Sequence, residues 1–147
     1  MPFLRSKTAH IAVIVLRVAL GCGFVYSGYV KLSEPWQLFA ANIAAYEVVP
    51  MWVAKFVAHT LPWFELLLGL LLIAGRWLRT VTVVTSGLLL FFVGMMLVAK
   101  LGGKDIACGC FSSDEPISWK TFLRDGSMLA DALFLAVIAF RFRRTTA

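Results

Sequence analysis

The sequence predicts an all-α integral membrane protein: a four-helix bundle with a short interfacial helix in the first outer loop. Three observations carry this expectation. Of the 147 residues, 61% are apolar and only 15% charged, against about 45–50% and about 25% in soluble domains. Four stretches reach the roughly 20 mostly apolar residues that a helix needs to cross a bilayer. The basic residues sit at the ends of those stretches. They do not form the stripe that a nucleic-acid-binding face requires, so the net charge of +6 does not point to nucleic acid. The length suits one domain, residues 1–147, and the apolar content excludes a disordered chain. Three cysteines are too few for a disulfide-stapled mini-protein.

The first span is expected at residues 10–32. Arg5 and Lys7 precede it as they would a signal peptide. However, Arg17 lies inside the run and no small-x-small cleavage site follows, so it reads as a retained span. Next comes a short helix from Pro35 to about Glu47, opened by Ser33 and Pro35. Trp36, Phe39, Ile43 and Tyr46 share one side of it. Such a helix either lies in the membrane interface or packs on the span ends. The second span is expected at 54–75 and the third at 80–99, which has no charge between Arg79 and Lys100. The fourth, at 119–140, is interrupted by Arg124, Asp125 and Asp131.

Four spans place both termini on one side. That side carries Arg5, Lys7, Arg76, Arg79, Arg141, Arg143 and Arg144 and no acid. The other side mixes five lysines with five acids. Excess Lys and Arg mark the cytoplasm, so both termini are expected there. The chain is expected in the inner (cytoplasmic) membrane, with the two long loops extracytoplasmic.

The second outer loop holds Cys108-Gly109-Cys110-Phe111. Outside the cytoplasm a close thiol pair tends to oxidise, and Gly109 permits the tight turn that brings the sulfurs together. A bridge across one residue closes a small strained ring, and strained, exposed disulfides are the labile ones. Cys108 and Cys110 are therefore the candidate catalytic residues. An inert structural bridge is the alternative. A metal site is not expected, because two thiolates need further ligands and only His59 lies on that side. Cys22, alone in the first span, reads as a packing residue.

Ionisable groups in lipid should face the bundle interior and pair. A rise of 1.5 Å per residue places Arg17, Glu65 and Asp131 at depths of about 12, 15 and 14 Å from the cytoplasmic end. They are expected to form a buried polar layer, either a structural lock or a ligand or proton site. Nearer the outer end, Arg124 and Asp125 on the fourth span match Ser27 and Lys31 on the first in height. These four are expected to line a polar vestibule beneath the cysteines, where Arg124 would raise the thiolate fraction. Interfacial snorkelling and capping is the equally open alternative.

These residues resemble the DoxX-like superfamily and, within it, the MauE branch named for methylamine utilisation. The resemblance rests on Arg17, on Phe24-x-x-Ser27-Gly28-x-x-Lys31-Leu32-x-x-Pro35, and on Leu61-Pro62-Trp63-x-Glu65-Leu66-x-x-Gly69. It continues through Cys108-Gly109-Cys110-Phe111 and Arg124-Asp125. The family pattern tends to continue with glycine where this chain has Ser112. The resemblance implies a four-helix membrane bundle and a link to disulfide handling, with a thioredoxin-like partner.

The leading expectation is thus a membrane thiol–disulfide redox protein that exchanges disulfides with a thioredoxin-like or other extracytoplasmic protein. No cofactor motif is present; a quinone held near Arg17, Glu65 and Asp131 is the electron acceptor considered. The first rival is a non-catalytic membrane subunit or maturation factor of a larger oxidoreductase complex. The second is a small-molecule transporter that uses the buried charges.

Overall fold

The computed structural model describes residues 7–103 and 118–146, and these are almost wholly helical. Five helices follow in order: α1 (Lys7–Ser33), α2 (Trp36–Ala45), α3 (Met51–Ala74), α4 (Leu78–Leu101) and α5 (Trp119–Thr146). The four expected spans correspond to α1, α3, α4 and α5, and most of these helices run a few residues past the expected ends. A helix continues into the interface until a cap or proline stops it, whereas apolarity fades earlier. Three of them, α1, α3 and α4, are long and apolar enough to cross a membrane, making the chain a multi-pass membrane protein. The longest, α5, has 28 residues. No 18-residue stretch of it carries fewer than three charged residues, which sets it apart from the other three.

The connections are short, and their chemistry is local. Pro35 and Pro50, with φ of −59° and −67°, precede α2 and α3, where a fixed φ helps a chain enter a helix. Gly75 ends α3 with φ +74°, donating its N–H to the Leu71 carbonyl at 2.9 Å. This is the left-handed C-terminal cap that glycine adopts without strain. Trp77, also left-handed at φ +49°, then opens α4.

The long helices contact one another in a ring. Among the described residues, α1 touches α3 and α5, and α4 touches α3 and α5, while the diagonal pairs make no backbone contact. All four helices supply the core, through Leu20 and Phe24, Leu68 and Leu72, Val81 and Leu89, and Ala132 and Leu135. Outside this core the surface is apolar too: Ile11, Phe56, Leu90, Phe91 and Val98 are exposed, as lipid-facing side chains must be. The short α2 buries Phe39 and Ala40 against Ala58 and Leu61 of α3.

The closest approach joins α1 to α3. A methyl group added at Gly69 would lie 2.6 Å from the Gly21 carbonyl oxygen, and one at Gly28 would lie 2.8 Å from the Pro62 carbonyl oxygen. Gly21 and Gly28 stand two turns apart on α1, opposite Gly69 and Pro62 two turns apart on α3. Small residues at this spacing let two backbones meet over a long seam.

Candidate functional site

That seam sets the geometry of the main buried charge cluster. Beside Gly28, Ser27 and Lys31 project from α1 one turn apart; beside Pro62, Glu65 projects from α3. The Lys31 ammonium donates to both Glu65 carboxylate oxygens at 2.8 Å and to Ser27 Oγ at 3.0 Å. Ser27 Oγ in turn donates to Glu65 Oε2 at 3.3 Å. All three residues are at least 95% buried. Phe39 of α2 and Phe92 of α4 close over the ammonium, with ring centroids 5.3 and 5.5 Å away. Four polar atoms thus meet in one sealed knot, and the rings add the cation–π attraction favoured by desolvation. Charge taken out of water is tolerable only when so completely partnered.

The sequence-based layer of Arg17, Glu65 and Asp131 is not drawn together. Among the described residues no ion pair links these three, and Glu65 takes its cation from Lys31. The reason is the lean of helical side chains toward their own N-terminus. On α1 that lean carries the Lys31 ammonium down into the bundle, to the height of Ser27. The same lean carries the Arg17 guanidinium the other way from Glu65, toward the membrane surface on the side of the termini. There it lies against Gly75 at the end of α3, where an added methyl group would be 2.8 Å from Nη1. A cation at a helix C-terminus is favourably placed. Asp131, on the antiparallel α5, leans away from Arg17, and its Oδ1 is buried without a hydrogen-bond partner.

The four residues expected to form a vestibule come closer to meeting. Asp125 is 99% buried, and Arg124 Nε donates to its Oδ1 at 3.0 Å. Asp125 and Met128 share with Ser27 and Glu65 a cavity of about 20 Å³, walled by Phe24, Leu89 and Phe92. That volume suits a single water. At the same end, Lys100 stacks over Trp119 at 5.8 Å, and Met96 packs against Phe122. The last turn of α4 and the first of α5 are therefore held side by side. The intervening chain, which contains Cys108 and Cys110, lies outside the described residues. Cys22 is a free thiol on the exposed face of α1. His59 is exposed, with Nδ1 2.8 Å from the Lys55 carbonyl oxygen and its ring beside Trp36.

Sequence reasoning missed the rings of Phe39 and Phe92, because an apolar residue in an apolar helix gives no sign that it faces a cation. It also missed Thr82, Thr85, Ser86 and Thr121, all more than 90% buried. A signal existed for the first three: hydroxyl residues at i, i+3 and i+4 mark one inward stripe on an otherwise apolar α4. Thr82 and Ser86 satisfy themselves by donating to carbonyls of their own helix.

No curated protein and no solved structure matches the chain. The model of one family, described as methylamine utilisation protein MauE, matches residues 9–142. That match reaches all five helices and both halves of the buried cluster, and so the chain belongs to the MauE family.

Proposed function

We propose that the chain is a membrane thiol–disulfide redox protein serving methylamine utilisation, within the wider DoxX-like superfamily. In this reading α1, α3, α4 and α5 all span the inner membrane as a four-helix bundle, and α2 lies at the outer interface. Both termini face the cytoplasm, and the Cys108–Cys110 connection faces outward. The observation that carries the reading is the Cys-Gly-Cys spacing in a segment whose two flanks are pinned together by Lys100 and Trp119. Arg124 and Asp125 lie in the second turn of α5, the helix that follows that segment in the chain.

The chemistry is exchange with a thioredoxin-like partner. One thiolate of the pair attacks the partner's disulfide, forming a mixed disulfide and releasing one partner thiolate. The second cysteine then attacks the mixed disulfide. This leaves a Cys108–Cys110 disulfide and a partner dithiol, two electrons having passed to the partner. The reverse sequence oxidises the partner, and a quinone would then be the acceptor in the membrane. Ser27, Lys31, Glu65, Arg124 and Asp125 serve in this reading to hold the helices that the cysteine segment joins into the bundle. Arg17 and Asp131 stand apart from it.

A second reading is favoured by the closure of the charge cluster. Both Glu65 oxygens are engaged by Lys31, and the adjoining cavity admits about one water. Such a knot suits a lock that fixes helix register in a non-catalytic membrane subunit or maturation factor. Single substitutions Cys108→Ser and Cys110→Ser separate the two readings. One of them should accumulate a reducible covalent adduct with an extracytoplasmic protein. No adduct with either, together with full cellular function of the double variant, would leave the scaffold.

A further inference from the structure

A sizeable cavity lies at the opposite end from the charge knot, on the side of the termini. It measures about 550 Å³ and opens where α1, α4 and α5 diverge. Its walls are apolar, formed by Val13, Ile14, Leu135 and Ile138, but two guanidinium groups, Arg17 and Arg79, line it, and no acid does among the described residues. Neither arginine hangs loose. Arg17 is seated against Gly75, and its buried Nε has no hydrogen-bond partner. Arg79 is held by donation from its Nε to the Ala139 carbonyl at 3.2 Å and by the Phe140 ring 5.4 Å from its Cζ. Trp77, 73% exposed, stands at the rim.

We propose that this cavity is a binding site for one anionic phospholipid of the leaflet facing the termini. The charge complementarity is specific. Two fixed guanidiniums with unfilled donors present the planar forks that phosphate oxygens accept. Both lie at the level of helix ends, because Gly75 caps α3 and Arg79 is in the first turn of α4. That is headgroup depth. Around them, Val13, Leu135 and Ile138 offer the apolar surface that the upper part of an acyl chain needs. Trp77 sits where an aromatic ring meets the interface. Basic pockets between helices are a recognised way of holding acidic lipid headgroups. A free phosphate would leave the apolar wall unused, and a zwitterionic lipid would set its own cation against the two arginines.

The site can be tested on the full chain in detergent by native mass spectrometry. Phosphatidylglycerol and phosphatidylcholine of the same acyl composition would be titrated separately. Phosphatidylglycerol should fill one site first, while phosphatidylcholine adds without preference. Arg17→Gln and Arg79→Gln should each weaken that first binding about fivefold, the weight of one basic side chain near an anionic lipid surface. Equal binding of the two lipids, or unchanged phosphatidylglycerol binding in both variants, would overturn the proposal. So would displacement of the lipid by an equimolar amount of inorganic phosphate. If the arginine variants fail to fold, the wild type still decides. The Trp77 emission, taken as the difference from Trp77→Phe, should be quenched more by phosphatidylglycerol brominated in its upper acyl chain than by the brominated phosphatidylcholine. Equal quenching would remove the site.

Discussion

The two ends of the helix ring handle buried positive charge in opposite ways. At one end Lys31 is 95% buried, shares both Glu65 oxygens and is roofed by two aromatic rings. At the other, Arg17 is half-buried beside an open cavity, with a donor nitrogen that no protein group fills. The difference follows from where the helices touch. The glycine seam between α1 and α3 is tight enough to seal the lysine, while the backbones of α1 and α4 stay apart and leave a gap at the arginine. A compact ammonium fits a closed knot; a guanidinium fork presents donors outward. Charges of one sign on one helix thus serve as a lock where neighbours close and, in the proposed lipid site, as a receptor where they part.

The largest effect is expected at the lock. Glu65→Leu strips Lys31 of its counter-charge and should destabilise the fold by about 3–5 kcal/mol, the usual cost of leaving one member of a buried pair alone. Thermal unfolding in detergent measures it. The double substitution Lys31→Met with Glu65→Leu should recover most of the loss, since an apolar pair of similar volume is well tolerated. A single variant as stable as the parent would mean that the pair is not sealed.

The seam that seals it comes next. Gly69→Ala drives a methyl group to within 2.6 Å of the Gly21 carbonyl oxygen, and overpacking of this kind costs about 1–3 kcal/mol. The charged cluster should loosen with it, visible as faster hydrogen exchange at Ser27 and Glu65 than at Leu89. Gly75→Ala imposes a left-handed conformation on an L-residue and presses on Arg17, for about 1–2 kcal/mol. Its melting temperature should fall while exchange at Glu65 stays slow.

The receptor end should hardly register in stability. Arg17→Gln removes only a cation at a helix C-terminus, worth about 0.3–1 kcal/mol. A loss as large as that of Glu65→Leu would show that Arg17 is part of a lock after all. Smallest of all, Gly87→Ala on α4 meets nothing within 4 Å. It should be neutral or stabilising by up to about 1 kcal/mol, the difference in helix propensity.

The all-helical membrane class, the helices and their order were legible in the residues alone. Apolar runs long enough to span a bilayer force helices, because no other open backbone arrangement satisfies its hydrogen bonds in lipid. Pro35 then marks the entry to the short helix, and the second apolar run stops at residue 75. The sequence also placed Ser27 and Lys31 at one height with Asp125, and the structure brings Ser27 and Asp125 to one cavity. The partner of Glu65 was decided only in the tertiary structure. Counting rise along a helix locates Cα atoms, and by that measure Arg17 and Glu65 share a layer. The charged atoms do not follow their Cα atoms: long side chains lean by about a turn toward the N-terminus, so Lys31 descends and Arg17 withdraws. Which of the two reaches Glu65 then depends on how closely α1 and α3 approach. That distance is set by Gly21 and Gly28 meeting Gly69 and Pro62 across the interface, a coincidence of two helices that neither helix shows alone.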